Sequence, residues 1–241
     1  IKSGTIKNAT GGNTGDGIGG GCDSKNITVK IEGGTIEKAK GGDGYGSHDA
    51  GDGIHSDGEL TIPDKATIVS AIGGNGDSRN SSSNAGHGIY SGGKLTIKGD
   101  IGTAQGGKGK TTAGHGIYSK GDLNISDNAT ITNATGGAST DGYAGDGKLT
   151  ISGGTIGTTQ GGTGKSGGAG IYSKDDLSIE SGTIGSLGTD GKTPDTTTGA
   201  LGGTSTAEAK GGNGIHSDGK ISITSGNIRN AKGGNATADY K

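Results

Sequence analysis

One twelve-residue phrase constrains this chain more than any other feature. GDGIHSDGELTI (51–62) returns as GHGIYSGGKLTI (86–97), GHGIYSKGDLNI (114–125), TDGYAGDGKLTI (140–151), GAGIYSKDDLSI (168–179) and GNGIHSDGKISI (212–223). After each copy comes a second apolar signature, typically Thr-Ile, and then a glycine-rich run. Units repeated in this way cannot bury their apolar faces alone, so they stack into a solenoid in which each unit covers the next.

The pattern inside each unit identifies the elements. Leu60-Thr61-Ile62 and Leu95-Thr96-Ile97 alternate apolar and polar residues, the period of a strand with one buried face. Aligned copies give core columns: Ile18, Ile54, Ile89, Ile117, Tyr143, Ile171 and Ile215; then Leu60, Leu95, Leu123, Leu149, Leu177 and Ile221; then Ile62, Ile97, Ile125, Ile151, Ile179 and Ile223. A last column holds Ile36, Ile68, Ile101, Ile131, Ile156, Ile184 and Ile228. No apolar residue recurs at helical spacing over ten positions, so no substantial helix is expected. The expected fold is all-β, a right-handed parallel β-helix of about seven coils with three short strands per coil and Gly-rich turns. Asp57-Gly58, Gly92-Gly93, Asp146-Gly147 and Asp218-Gly219 mark corners, where Asp-Gly tolerates a positive φ.

Sixty glycines and the absence of Phe, Trp and Met would otherwise indicate disorder, but here the glycines keep fixed offsets. The interval from the Gly-x-Gly-Ile isoleucine to the next Leu is six in every copy but the first, whereas the stretch after the third strand varies. One side of the solenoid should therefore carry polar loops of unequal length, the longest an insertion over 185–214. Residues 1–241 read as a single solenoid, a fragment of a longer repeat protein, since the chain opens and stops inside repeats. Cys22 is the only cysteine, so the chain forms no internal disulfide.

Stacking converts equivalent positions into columns. The residue after the first-strand Ile reads His55, Tyr90, Tyr118, Ala144, Tyr172 and His216, and alternation turns it away from the core. His55, Tyr90, Tyr118, Tyr172 and His216 form a candidate aromatic surface for stacking on sugars, the other reading being aromatic pairing that stabilises the sheet. The residue two before that Ile reads Asp16, Asp52, His87, His115, Asp141, Ala169 and Asn213. Asp16, Asp52, His87, His115 and Asp141 form a candidate metal column, carboxylates suiting calcium and imidazoles a transition metal. Its other reading is polar side chains satisfying backbone groups at a corner.

A net charge of −2 with both signs interspersed argues against nucleic-acid binding, and no apolar run reaches membrane-spanning length, so direct membrane insertion is not expected. Polar residues recur by repeat and do not converge, and Arg79 and Arg229 are the only arginines, which gives a polysaccharide-lyase-like activity little support. Outward Thr columns allow an ice-binding face, but Asn124, Ser178, Ser222, Asp100 and Asn227 interrupt them.

At GDGIHSDGELTI and GNGIHSDGKISITSGNI the chain resembles the β-helix carbohydrate-binding domains of clostridia and related bacteria, and more loosely Gly-rich adhesin and autotransporter β-solenoids. The resemblance implies a right-handed β-helix, secretion or attachment at the bacterial cell surface, binding of plant polysaccharide and calcium at Asp-rich turns. Asp16 and Asp52 match its Gly-Asp-Gly-Ile motif; His87, His115, Ala169 and Asn213 depart from it. The expected function is a non-enzymatic extracellular adhesin or carbohydrate-binding solenoid whose partner is a polysaccharide or cell-surface glycan. The alternative is a structural stalk or a filament formed by end-to-end self-association.

Overall fold

The computed structural model describes residues 1–19, 27–79, 83–110, 112–126, 128–137, 143–145, 148–164, 167–206 and 211–236, with backbone alone at 143–145. Cys22, Asp141 and the Asp146-Gly147 corner lie outside the described residues. The fold is an all-β parallel solenoid. Among the described residues, strands form one twelve-stranded sheet and two six-stranded sheets, and every named strand pairing is parallel.

Each full coil contributes one strand to each six-stranded sheet and one or two to the twelve-stranded sheet. The Gly-x-Gly-Ile strands, such as Ile54–Ser56, Ile89–Ser91 and Ile117–Ser119, stack in one sheet, and Leu60–Ile62, Leu95–Ile97 and Leu123–Ile125 stack in the second. A further coil joins at the N-terminal end through the bridge Ile18↔Ile54. Register is strict: Ile117 pairs with Ile89 and Tyr143, and Leu123 with Leu95 and Leu149. Like residues therefore sit over like, and a one-residue slip would turn every core side chain outward.

Burial comes from stacking. Leu177 and Ile179 are 0% and 1% exposed, whereas their register partners on the last coil, Ile221 and Ile223, are 44% and 53% exposed. The sequence at these positions is almost the same; the difference is a coil above.

The third strand is longer than a Thr-Ile pair. It runs Ala66–Ile72, Asp100–Gln105, Thr130–Thr135 and Thr155–Gln160. This length carries a second buried column, Ala39, Ala71, Ala104, Ala134, Thr159 and Ala200, in continuous register. The column takes Ala because the wall of the coil approaches closely there. Thr159 is the exception, and among the described residues its hydroxyl is the buried side-chain polar atom left without a hydrogen-bond partner.

The same strand resolves the 185–214 insertion into parts. Thr183–Ile184 and Gly199–Leu201 both pair with Thr155–Gln160, so the chain leaves this strand midway, closes an antiparallel bridge Leu187↔Pro194, and re-enters in register. The insertion interrupts a strand and is not one continuous loop.

Glycine acts mainly through space. Gly34, which opens the third strand of its coil, and Gly154, just before another, have φ of 90° and 80°, as expected for a corner that favours glycine. Gly58, Gly93 and Gly219 do not have positive φ, contrary to the Asp-Gly expectation. At Gly92 a Cβ would lie 2.2 Å from the Asp57 carbonyl oxygen of the coil below, so contact between coils excludes side chains there.

Among the described residues, the variable loops are closed at their necks by paired glycines. Gly51 N donates to Gly42 O (3.0 Å), Gly86 N to Gly74 O (2.9 Å) and Gly114 N to Gly107 O (3.0 Å). Between coils, Gly74 N donates to Gly51 O (2.9 Å), Gly107 N to Gly86 O (2.8 Å) and Gly137 N to Gly114 O (2.7 Å). The two sets form one zigzag of amide–carbonyl bonds along the solenoid. Loop length can vary outside this neck without disturbing the coil.

Candidate functional site

The two variable columns, separate in the sequence, meet in one groove of about 470 Å³. It runs over neighbouring coils. Each coil supplies a loop end (Asp49-Ala50, Asn84-Ala85, Thr112-Ala113), the residue two before Ile (Asp52, His87, His115) and the residue after Ile (His55, Tyr90, Tyr118), with Thr14, Asp16 and Asp57 at one end. The glycine neck fixes where each loop end returns, and the strand register fixes the rest.

The polar column serves the backbone of the next coil. Asp16 Oδ1 accepts from Asp52 N (2.8 Å), Asp52 Oδ1 from His87 N (2.5 Å), and His87 Nδ1 from His115 N (3.0 Å). Asp and His alternate there because each presents an acceptor at the same height. The loops repeat the device: Asp43 Oδ1 accepts from Asn75 N and Asn75 Oδ1 from Lys108 N, while Asp49 Oδ1 accepts from Asn84 N. Of the metal-column residues, Asp16 and Asp52 come together with His55, a member of the aromatic column. The Nδ1 of His87 is engaged by the backbone, His115 lies in the ring stack, Ala169 is buried, and Asp141 is outside the described residues.

The rings stack on one another. His55 lies 4.5 Å from Tyr90 at 19°, and His87 lies 4.9 Å from Tyr118 at 13° and 5.3 Å from His115 at 5°. His115 and Tyr118 stack at 5.1 Å, and Lys120 Nζ stands 5.9 Å from the Tyr90 ring centre. Such contacts are worth about 0.5–1.5 kcal/mol each beyond burial. The column divides at coil five: Tyr172 and His216 form a separate tilted pair at 5.6 Å, with the Tyr172 hydroxyl donating to Asp218 (2.6 Å). They do not line the groove.

Two further sets of residues escaped the sequence reading. Asp57, read only as a corner residue, lies 3.1 Å from His55 Nε2 and accepts from Ile27 N (2.7 Å). Ser56, Ser91 and Ser119 form a buried column behind the groove, which Ser173 repeats farther along the stack; Ser91 Oγ donates toward the Gly58, Gly93 and Lys94 carbonyls, and Ser119 Oγ toward Gly93 and Asp122. The signal was present, because Ser follows Ile by two in five of the aligned copies.

Comparison with protein-family models, curated proteins and solved structures finds no match for this chain.

His55 and His87 are driven in opposite directions. Burial alone would lower the His55 pKa, but hydrogen bonds to Asp52 and Asp57 and the charges of Asp52 and Asp16 outweigh it and raise it to about 9. Both ring nitrogens face carboxylates, Nδ1 at 2.6 Å from Asp52 and Nε2 at 3.1 Å from Asp57, as an imidazolium requires. Burial lowers His87 to about 4; the Asp52 charge opposes this, and charges at His115, His55 and Lys120 reinforce it. Neutral His87 is also what its accepting Nδ1 demands.

Linkage then gives a two-sided pH profile. The stability from His55 is complete below its ordinary value of 6.5 and is lost as pH rises toward 9. That from His87 is complete above 6.5 and is lost as pH falls toward 4. In EDTA, so that protons alone titrate the site, the thermal midpoint should peak near pH 6.5 and decline on both sides. His55→Gln should flatten the alkaline limb and His87→Gln the acid limb; limbs unchanged by these substitutions would contradict the assignment.

Proposed function

We propose that this chain is a non-enzymatic, extracellular bacterial surface solenoid that binds a glycan in the groove over coils two to four. The observation that carries this reading is convergence: loop ends, carboxylates, imidazoles and tyrosines from successive coils line one concave, polar surface. Hydroxyl-rich ligands are held by hydrogen-bonding groups of this kind set among planar rings. Because Tyr90 and Tyr118 turn ring faces toward the histidines, a sugar meets ring edges and polar atoms, and recognition runs through hydrogen bonds more than through open-face stacking. In this reading Asp16, Asp52 and His87 each support the next coil's backbone through one acceptor atom, and no catalytic step is assigned to them.

Affinity electrophoresis through gels containing plant or bacterial polysaccharides tests the reading. At least one polysaccharide should retard the native protein, and Tyr90→Ala/Tyr118→Ala should lower that affinity about tenfold or more, equivalent to about 1.4 kcal/mol, while circular dichroism stays unchanged. Equal retardation of both proteins, or none of either, would reject the groove as a glycan site. The second reading, a structural stalk, draws on the same stack, whose rings and acceptors bind neighbouring coils together. It predicts that the double substitution lowers stability and leaves glycan behaviour unaltered.

A further inference from the structure

At the N-terminal end of the groove, Asp16 Oδ2, Asp52 Oδ2 and His55 Nδ1 converge, with donor atoms within 4.8 Å of one another. We infer that these three residues bind a divalent transition-metal ion of the zinc class, joining the first two coils independently of any glycan.

Three features support a built site. Each carboxylate is oriented by its other oxygen: Asp16 Oδ1 accepts from Asp52 N, and Asp52 Oδ1 accepts from His87 N, which leaves both Oδ2 atoms directed toward His55 Nδ1 at 4.0 and 2.6 Å. The remaining imidazole nitrogen, Nε2, lies 3.1 Å from Asp57 Oδ1. This is the carboxylate–histidine–metal arrangement, in which an outer carboxylate fixes the ring and strengthens the ligand. The third feature is buried charge: the Asp16 and Asp52 side chains are 7% and 9% exposed, and His55 is the basic group between them. One imidazolium leaves two buried carboxylates with a net negative charge, and a divalent ion that displaces the Nδ1 proton compensates it more fully.

The donor set selects the class of ion. Calcium takes six to eight oxygen ligands, roughly, whereas two carboxylate oxygens and an imidazole nitrogen suit zinc and its neighbours. A tetrahedral ion would keep its fourth position for water. The calcium expected from the resemblance thus gives way to a transition metal in this proposal, with His55 as a ligand.

The test uses the full 241-residue chain after EDTA treatment and dialysis, titrated with Zn²⁺ or Ca²⁺ alone by calorimetry. One Zn²⁺ per chain is expected, in clear preference to Ca²⁺. Asp52→Asn keeps an oxygen to accept the His87 amide, so it should fold while binding Zn²⁺ at least tenfold more weakly; His55→Gln should behave alike. His48→Gln, at a histidine outside the cluster, should bind as the native chain does. Co²⁺ should give the intense visible absorption of a tetrahedral site, lost in His55→Gln. No binding, a preference for Ca²⁺, or native affinity in Asp52→Asn would overturn the inference, and none of these readouts involves a glycan.

Discussion

Gly106→Ala is expected to cost about 4 kcal/mol or more, a large share of the roughly 5–15 kcal/mol by which folded proteins are stable, and to move the urea midpoint down sharply. A Cβ on Gly106 would stand 1.8 Å from the Gly114 carbonyl oxygen and 2.2 Å from its carbon. Both are backbone atoms at the neck of a loop, so no rotamer change relieves the clash, and parting the strands would break the amide–carbonyl zigzag. Small-to-large substitutions in packed interiors cost about 1–3 kcal/mol where side chains can adjust; here nothing adjustable is present. Gly12 is the control, a paired glycine of the neck with open space around it. It is the second glycine of its pair, the position of Gly107, and as the first coil in the stack has none before it, a Cβ there meets nothing within 4 Å. Gly12→Ala should unfold in urea at the native midpoint. Similar behaviour of the two variants would contradict the account of the neck.

The second large effect separates the coil from the stack. Ile125→Ala should destabilise by about 3–4 kcal/mol, within the range for a buried Ile truncated in a packed core. Ile223→Ala, on the same column, should cost less than about 1 kcal/mol, because surface positions rarely exceed ~0.5 kcal/mol. Ile125 lies between Ile97 and Ile151 and is 0% exposed, whereas Ile223 has Ile179 on one side and is 53% exposed. Urea unfolding of both variants measures the gap. Equal losses would mean that stability does not arise from nearest-neighbour stacking.

The core was legible in the sequence because a strand's period is short and the repeat displays it many times. Ile54, Leu60, Ile62 and Ile68 were placed inside, and all four are fully buried. The parallel all-β stack followed from the same columns. The buried serines were less legible, since Ser119 is satisfied by corner carbonyls that appear only once the chain has turned. The Ala71–Ala104 column was hidden because the third strand continues beyond its last large apolar residue. Corner glycines such as Gly92 were assigned to positive φ, when the constraint is the coil beneath.

The site was half legible for a related reason. Repeats fix the height of each residue along the solenoid, so His55 over Tyr90 and Asp52 beside His87 could be read directly. They do not fix how the chain bends around the axis. Only that bend brings the two columns into one groove and sets Asp57 against His55. The rings also stack within the column, the pairing that the sequence offered beside sugar stacking.

The claim that the groove binds a glycan is tested most directly at its tyrosines. Proton–carbon spectra of the ¹³C-tyrosine-labelled protein, recorded while adding a polysaccharide that retards it in gels, report each ring separately. The account predicts that Tyr90 and Tyr118 shift together and saturably, while exposed Tyr45, outside the groove, stays in place. Shifts at Tyr45 alone, or no change at Tyr90 and Tyr118 under saturating ligand, would contradict it.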